Sequence, residues 1–317
     1  MLNDYWKDYP GLSEKLAAVS LRIKKEAAGF SLSEKLEPLL EQRGKMLRPA
    51  FLILGSGFGE PNDSIVDAAA AVEMLHIATL LHDDILDDAE TRRGQKSMHI
   101  STSIKHAVLA GDWLFARAVS LVVPHISAEQ SVLLTGAITK ICNAEVDQDL
   151  RKGFIQTSRR AYLRTIAGKT SALMALSLRA GAELSGAPRS CRLALQRLGY
   201  NIGMAFQIQD DILDYSGDSG TFKKPTGKDI QEGLCTLPLI CALKKAGIAD
   251  TAGLPELSAA NLRFYQDMVK KHKGTEDAYS YAERYTERAL RELSGLPDCE
   301  AKTILGGIIS RLSARKF

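Results

Sequence analysis

Residues 62–90 read NDSIVDAAAAVEMLHIATLLHDDILDDAE, and the fold class turns on this stretch. Asn62-Asp63-Ser64 is cap and turn chemistry. The apolar-rich segment from 65 to about 88 is too long and too rich in Ala and Leu for a strand, so it predicts a central helix. Upstream, 13–28 reads as a helix with Leu16, Val19, Ser20 and Ile23 on one face, and Ser31-Leu32-Ser33-Glu34 is a capping box opening the next. Gly44 separates this pair from a third helix starting at Pro49, a good first-turn residue. Downstream, helical patterns cover about 103–123, 128–152, 159–166, 170–185, 189–215 and 235–246. The last stretch, punctuated by Pro255, Lys273-Gly274 and Gly295, gives three shorter helices. No convincing strand, short-period repeat or low-complexity segment is found. Ten prolines in 317 residues also favour long uninterrupted helices. The expectation is a single all-α domain over residues 1–317.

Composition narrows the function classes. The net charge is only +3, which excludes a global electrostatic case for nucleic-acid binding; 45% apolar and 25% charged residues fit a soluble globular protein. Cys142, Cys191, Cys235, Cys241 and Cys299 are odd in number, scattered and without CxxC spacing. Neither a disulfide framework nor a zinc site is expected, and a reducing cytoplasm fits. The N-terminus carries charges where a signal peptide needs apolar residues, and no 18 apolar residues run together, so neither export nor a transmembrane segment is expected.

The segment Asp83-Asp84-Ile85-Leu86-Asp87-Asp88-Ala89-Glu90 piles five carboxylates onto the end of the central helix. That end is the negative pole of the helix dipole, where each anion costs about 0.3–1 kcal/mol. The like-charged pair Asp83/Asp87 adds a few tenths. Something positive must compensate. The pattern recurs at another helix end as Asp210-Asp211-Ile212-Leu213-Asp214. In both copies the first and fifth acids lie about one turn apart and form a hard oxygen site, suited to Mg²⁺ if the two helices face each other. One DDxxD is also what a solvated acidic helix end looks like; two copies in apolar helical contexts are not. A di-iron reading fails, because Glu73-Met74-Leu75-His76 lacks a second ExxH.

Cations complete the pattern. Arg43, Lys45 and Arg48 crowd a helix N-terminus, where like sign is unfavourable and exposed amides attract phosphate. Arg92-Arg93-Gly94 follows the first acids, where basic residues are also ordinary helix-end chemistry. Gly168-Lys169-Thr170 resembles the tail of a phosphate loop, but Leu163 stands where that loop needs Gly, which argues against a nucleotide fold. His76 and Gln207 lie on the acid-bearing helices. The segment 215–229 is glycine-rich with three lysines, and reads either as a solvated connection or as a lid over an anion.

Assembled, the chain resembles the trans-prenyl diphosphate synthase (polyprenyl synthetase) family over essentially its whole length. The resemblance rests on Gly44-Lys45-Met46-Leu47-Arg48-Pro49, the first aspartate-rich motif running into Arg92-Arg93-Gly94, Gly168-Lys169-Thr170, Phe206-Gln207-Ile208-Gln209-Asp210-Asp211-Ile212-Leu213-Asp214, and Thr236-Leu237-Pro238, all in family order. It implies an isoprenoid synthase fold, an antiparallel helix bundle around a deep central cavity, usually as a homodimer. It further implies Mg²⁺ held by Asp83, Asp87 and Asp210, and an allylic diphosphate bound by Arg92, Lys169, Thr170, Gln207 and Lys224. Lys45, Arg48, His76 and Arg93 correspond to the isopentenyl diphosphate pocket, and Asp83, Asp87, Asp210 and Lys169 to the catalytic set. Two positions depart from the family pattern. Leu234 stands where many relatives have Lys, and Met46 replaces a frequent Arg.

The implied reaction is head-to-tail condensation. Small Ala78 and Thr79, one turn below the first acids, point past farnesyl toward longer all-trans products, because short-product relatives carry aromatic floors there. Trp113 or Phe115 are candidate stops further along. Two alternatives are carried. A terpene cyclase would mix Asn, Ser/Thr and Glu in its second motif. A non-catalytic subunit of a hetero-oligomeric synthase would commonly lose its aspartates.

Overall fold

The computed structural model describes residues 5–41, 44–60, 62–92, 94–216 and 227–313. The elements are α1 (Pro10–Ala27), α2 (Ser33–Glu41), α3 (Leu47–Ser56), α4 (Ile65–Leu86), β1 (Thr91–Arg92), β2 (Gln95–Lys96), α5 (Met98–Ser101), α6 (Ile104–Val122), α7 (Ala128–Asp149), α8 (Arg159–Ile166), α9 (Ala172–Leu184), α10 (Arg189–Ser216), α11 (Lys228–Gln231), α12 (Leu237–Lys245), α13 (Leu262–Lys271), α14 (Gly274–Ser294) and α15 (Glu300–Ser313). The chain is all-α, as the sequence indicates. The sequence reading misses one antiparallel hairpin of two residues per strand, Thr91 opposite Lys96 and Arg92 opposite Gln95. It is too short to carry an alternating pattern.

Two compact units are built from non-contiguous segments. One comprises 1–135, 176–196 and 296–304; the other comprises 136–175, 197–295 and 305–317. In the first, α4 packs against α1, α3 and α6. Residues 68–75 of α4 are buried one after another, so this helix is enclosed on all faces rather than amphipathic. α4 and the stretch Ile104–His125 are both long and apolar enough to cross a bilayer; two thirds of the apolar window of α4 lies inside the protein, against one third of the other. In the second unit, α12 packs on α8, α13 and α14. Ala278, Ala282, Ala289 and Leu293 form the buried stripe of α14, which at 21 residues is longer than the sequence suggests. Lys273 at φ 51° and Gly295 bracket it at the expected breaks.

Helices α3 and α9 touch backbone to backbone. A Cβ on Gly55 would sit 2.2 Å from the Leu178 carbonyl oxygen, and one on Gly181 would sit 1.9 Å from that of Leu52. Glycine is required there by contact with main chain that cannot retract. Gly181→Ala is therefore expected to destabilise by about 1–3 kcal/mol. Gly136→Ala, in α7 with nothing within 4 Å of its Cβ, is expected to be neutral or stabilising. Thermal denaturation of the two variants checks the contrast.

Candidate functional site

The first acidic motif occupies the last turn of α4, and its backbone closes in a particular way. Asp88 takes the left-handed conformation at φ 46°. The Asp88 amide donates to the Ile85 carbonyl at 3.3 Å and the Ala89 amide to the Asp84 carbonyl at 2.9 Å. This is a Schellman closure with aspartate where glycine is usual, a substitution that a short polar side chain tolerates. The chain then turns through Gly94. On the way Arg92 reaches back to Asp84 with Nε at 2.6 Å and a terminal nitrogen at 2.5 Å. Asp84 is 3% exposed, so this pair is the compensation demanded at the negative helix end. Asp83 and Asp87 stay half-exposed.

The basic N-terminus of α3 belongs to the same unit. Met46 caps it in the left-handed region at φ 48° with its side chain buried. The Lys45 carbonyl accepts from Trp6 Nε1 at 2.7 Å, and Lys45 Nζ lies 4.8 Å above the Tyr5 ring. Burial lowers the pKa of Arg48, against the pull of Glu73 and Asp83. Its Nε is shut off from solvent without a hydrogen-bond partner. The structure thus brings Arg48 into the field of Asp83. Glu73, read above only as part of an ExxH, is the second acid of that field. His76 is half-buried on α4, and its carbonyl accepts the Thr79 hydroxyl at 2.8 Å. Arg43 and Arg93 lie outside the described residues.

The second acidic motif, near the end of α10, solves the same problem differently. Asp211 is 5% exposed, and its partners are neutral. Tyr162 donates to Asp211 Oδ2 at 2.6 Å, Gln207 donates to Oδ1 at 2.8 Å, and Thr170 donates to Gln207 Oε1 at 2.6 Å. Burial pushes the Asp211 carboxyl up to about 7, moderated by those two donors and raised further by Asp210 and Asp214. Asp214 accepts the amides of Lys228 and Asp229 at 3.1 and 3.0 Å, fixing the start of α11. Asp229 is held well above the carboxylate range by burial and by Asp211 and Asp214, and its Oδ2 has no partner. Lys224 and the rest of 217–226 lie outside the described residues.

Lys169 and Thr170 sit in a π-helical turn, Ala167–Ser171, between α8 and α9. A Cβ on Gly203 of α10 would meet the Ser171 Cα at 2.6 Å, so this turn and α10 touch. Lys169 Nζ pairs with Glu145 at 2.8 Å. The sequence reading therefore missed Tyr162, Glu145 and Asp229. Tyr162 stands seven residues before Lys169, two helical turns in a regular helix, which is the one available signal.

Both motifs bury their second aspartate and leave the first half-exposed. The donors are hard oxygens, and in the second unit several carboxylates repel one another through low dielectric, which is the chemistry a divalent cation relieves. Among the described residues no three His, Cys, Asp or Glu side chains form a metal site by themselves. An ion would need further oxygens, such as those of a diphosphate.

Comparisons with known proteins follow the same lines. The family model described as Polyprenyl synthetase matches residues 31–271. Heptaprenyl diphosphate synthase component 2 of Geobacillus stearothermophilus is 34% identical over 316 residues, covering 98% of each chain. All-trans-nonaprenyl-diphosphate synthase (geranyl-diphosphate specific) of Rhodobacter capsulatus is 36% identical over 303 residues, covering 91% of this chain and 86% of that one. A solved polyprenyl synthase from Caulobacter crescentus CB15, complexed with calcium and isoprenyl diphosphate, superposes with a TM-score of 0.87 at 31% identity over 99% of this chain and 97% of that one. The helical architecture is that of the isoprenyl synthases, and the chain belongs to the polyprenyl synthetase family.

Proposed function

We propose that this protein condenses isopentenyl diphosphate with an allylic prenyl diphosphate, head to tail (1'-4), to give an all-trans polyprenyl diphosphate longer than farnesyl. The observation that carries the reading is the doubled motif, each copy with its second acid tied down and its first left half-exposed. Residues 1–317 act as one catalytic domain. Asp83, Asp87 and Asp210 hold Mg²⁺, which when bound neutralises charge on the departing diphosphate. Lys169, Thr170, Gln207, Arg92 and Lys224 bind the allylic diphosphate. Lys45, Arg48, His76 and Arg93 bind isopentenyl diphosphate. The allylic C–O bond breaks, the isopentenyl double bond supplies the electrons of the new C–C bond, and a proton leaves to the diphosphate. Lys169 and Arg92 already stand against Glu145 and Asp84, so they are held for an anion by weakly exposed acids rather than by solvent.

Product length follows α4. On a helix of 100° per residue, Thr79 lies on the face that carries Ala68, Ala71, Val72 and Leu75, and Ala78 lies at its edge. Those four residues line an apolar pocket, partly open to solvent, wholly within the first unit. Ala68 lies about 22 Å along the helix from Asp83, or about five isoprene units. Trp113 packs on Phe30 instead, with ring centroids 4.9 Å apart, and neither it nor Phe115 lines the cavity. All five cysteines are unpaired, which supports a cytoplasmic protein. Exposed Ile104, Val108 and Leu109 on α6 support a homodimer.

The alternative, a subunit needing a partner, is favoured by the relative that is itself a component 2. Retention of both acidic sets favours an active chain. Purified protein given Mg²⁺, farnesyl diphosphate and isopentenyl diphosphate separates them: turnover by the single polypeptide supports the enzyme, and silence rescued by a second polypeptide supports the subunit.

Asp83→Ala and Asp210→Asn should each lower kcat by at least about 100-fold without shifting the melting temperature downward; steady-state kinetics with circular dichroism check this. Ala78→Phe should shorten the product, read by mass analysis. The pH prediction concerns metal-free protein. With Asp211 raised from 3.8 to about 7, the folded state keeps a proton that the unfolded state has lost. Stability through this group therefore falls as pH rises from about 4 to about 7 and is level above that. Asp211→Asn should flatten that slope, and Tyr162→Phe should extend it to higher pH, both read by thermal denaturation in EDTA.

A further inference from the structure

The apolar pocket is backed by charges. Its lining includes Gln130 and two residues one turn apart on α9, Arg179 and Glu183, which face it mainly with their hydrocarbon stems while their charged ends pair behind. Arg179 Nε donates to Glu183 at 3.2 Å and a terminal nitrogen donates to Gln196 at 2.7 Å. Arg192 donates to the other Glu183 oxygen. The Glu183 side chain is 10% exposed, and Arg192 Nε is buried without any hydrogen-bond partner. The cluster marks the end of the cavity away from the acids. Glu60 and Asn62, just before α4, bond to the carbonyls of Ser185 and Leu184 at 2.8 and 2.7 Å. The residues that follow Glu183 thus meet the N-terminal end of α4, while Asp83 and Asp87 occupy its C-terminal end.

We propose that the Arg179–Glu183–Arg192 ion cluster is the specificity-determining stop for the growing prenyl tail. The inference rests on the proposed path of the tail along α4. Each added five-carbon unit that moves into the apolar cavity gains burial in proportion to its area. A unit that reaches the cluster gains none, because it must push hydrocarbon against a shared, desolvated carboxylate or break pairs whose remaining charges would be stranded. Elongation is then limited by a polar wall rather than by an aromatic side chain. Gln196 and Arg192 position the wall from α10, so Arg179 is held from two sides.

The test is the product distribution of Arg179→Leu/Glu183→Leu with farnesyl and isopentenyl diphosphates, resolved by mass. A shift of the main product by at least one five-carbon unit toward longer chains is expected, with KM for farnesyl diphosphate unchanged. Glu183→Asp should keep the wild-type length. Should the double variant fail to fold, Glu183→Gln, which keeps the shape and removes the charge, is expected to broaden the distribution upward. An unchanged distribution in the folded charge-removing variants overturns the proposal. Ala78→Phe separates the two failures: if it shortens the product while the cluster variants change nothing, the tail path stands and the stop does not. If Ala78→Phe leaves the length unchanged as well, the path itself is refuted.

Discussion

A carboxylate at the C-terminal end of a helix faces the negative pole of that helix, and this protein places clusters of them at two such ends. What makes the arrangement tolerable differs between the two. Asp84 takes the charge of Arg92, two of whose nitrogens converge on its Oδ1, so this helix end carries its own cation. Asp211 receives only neutral donors from Tyr162 and Gln207, which orient it but bring no positive charge. Burial lifts its carboxyl to about 7 in spite of those donors, and the charge of the second motif is completed by whatever cation arrives. Two motifs that look alike as strings of letters are thus electrostatically unequal.

Part of the functional site lies beside breaks in regular helix geometry. Met46 and Asp88 occupy the left-handed region, and Lys169 and Thr170 ride on a π turn. Such conformations cost about 1–3 kcal/mol each for residues other than glycine, and persist only when surroundings over-determine them. Here the surroundings are visible. Met46 is buried, Asp88 is locked by the two hydrogen bonds of the Schellman closure, and Ser171 of the π turn lies against Gly203 of α10. A regular α-helix through 159–184 would turn Lys169 and Thr170 to a different angle relative to Tyr162. From this turn Thr170 donates to Gln207, while Tyr162 of α8 donates to the Asp211 that Gln207 also holds.

This also explains which parts were legible in the sequence. Helix 65–86 was readable because a long apolar run bounded by cap residues admits one solution. The acids and cations were readable because they violate local preference, and a violated preference needs a reason. Tyr162 was not, since a tyrosine in a helix satisfies local rules and its partner lies 49 residues away. The π turn was not, because it depends on a tertiary approach. Helix α3 begins at Leu47 rather than Pro49 because Met46, not a residue nearer the proline, takes the capping conformation.

The cavity follows from the same small-residue composition that made α4 recognisable. Four consecutive alanines, 68–71, are buried, and two of them, Ala68 and Ala71, border the pocket. A helix so built supplies backbone hydrogen bonds and high helix propensity while leaving volume on one face. Natural cores fill such volume, because voids forfeit dispersion contacts. Here the neighbours do not fill it. α3 and α9 are already in backbone contact through Gly55 and Gly181, and so cannot move closer to α4. Glu183 and its arginines resist collapse of the end they close, since closer approach would bring hydrocarbon onto paired charges. The void is thereby a consequence of two rigid contacts and one polar wall, and an apolar ligand is the occupant whose burial such a space favours.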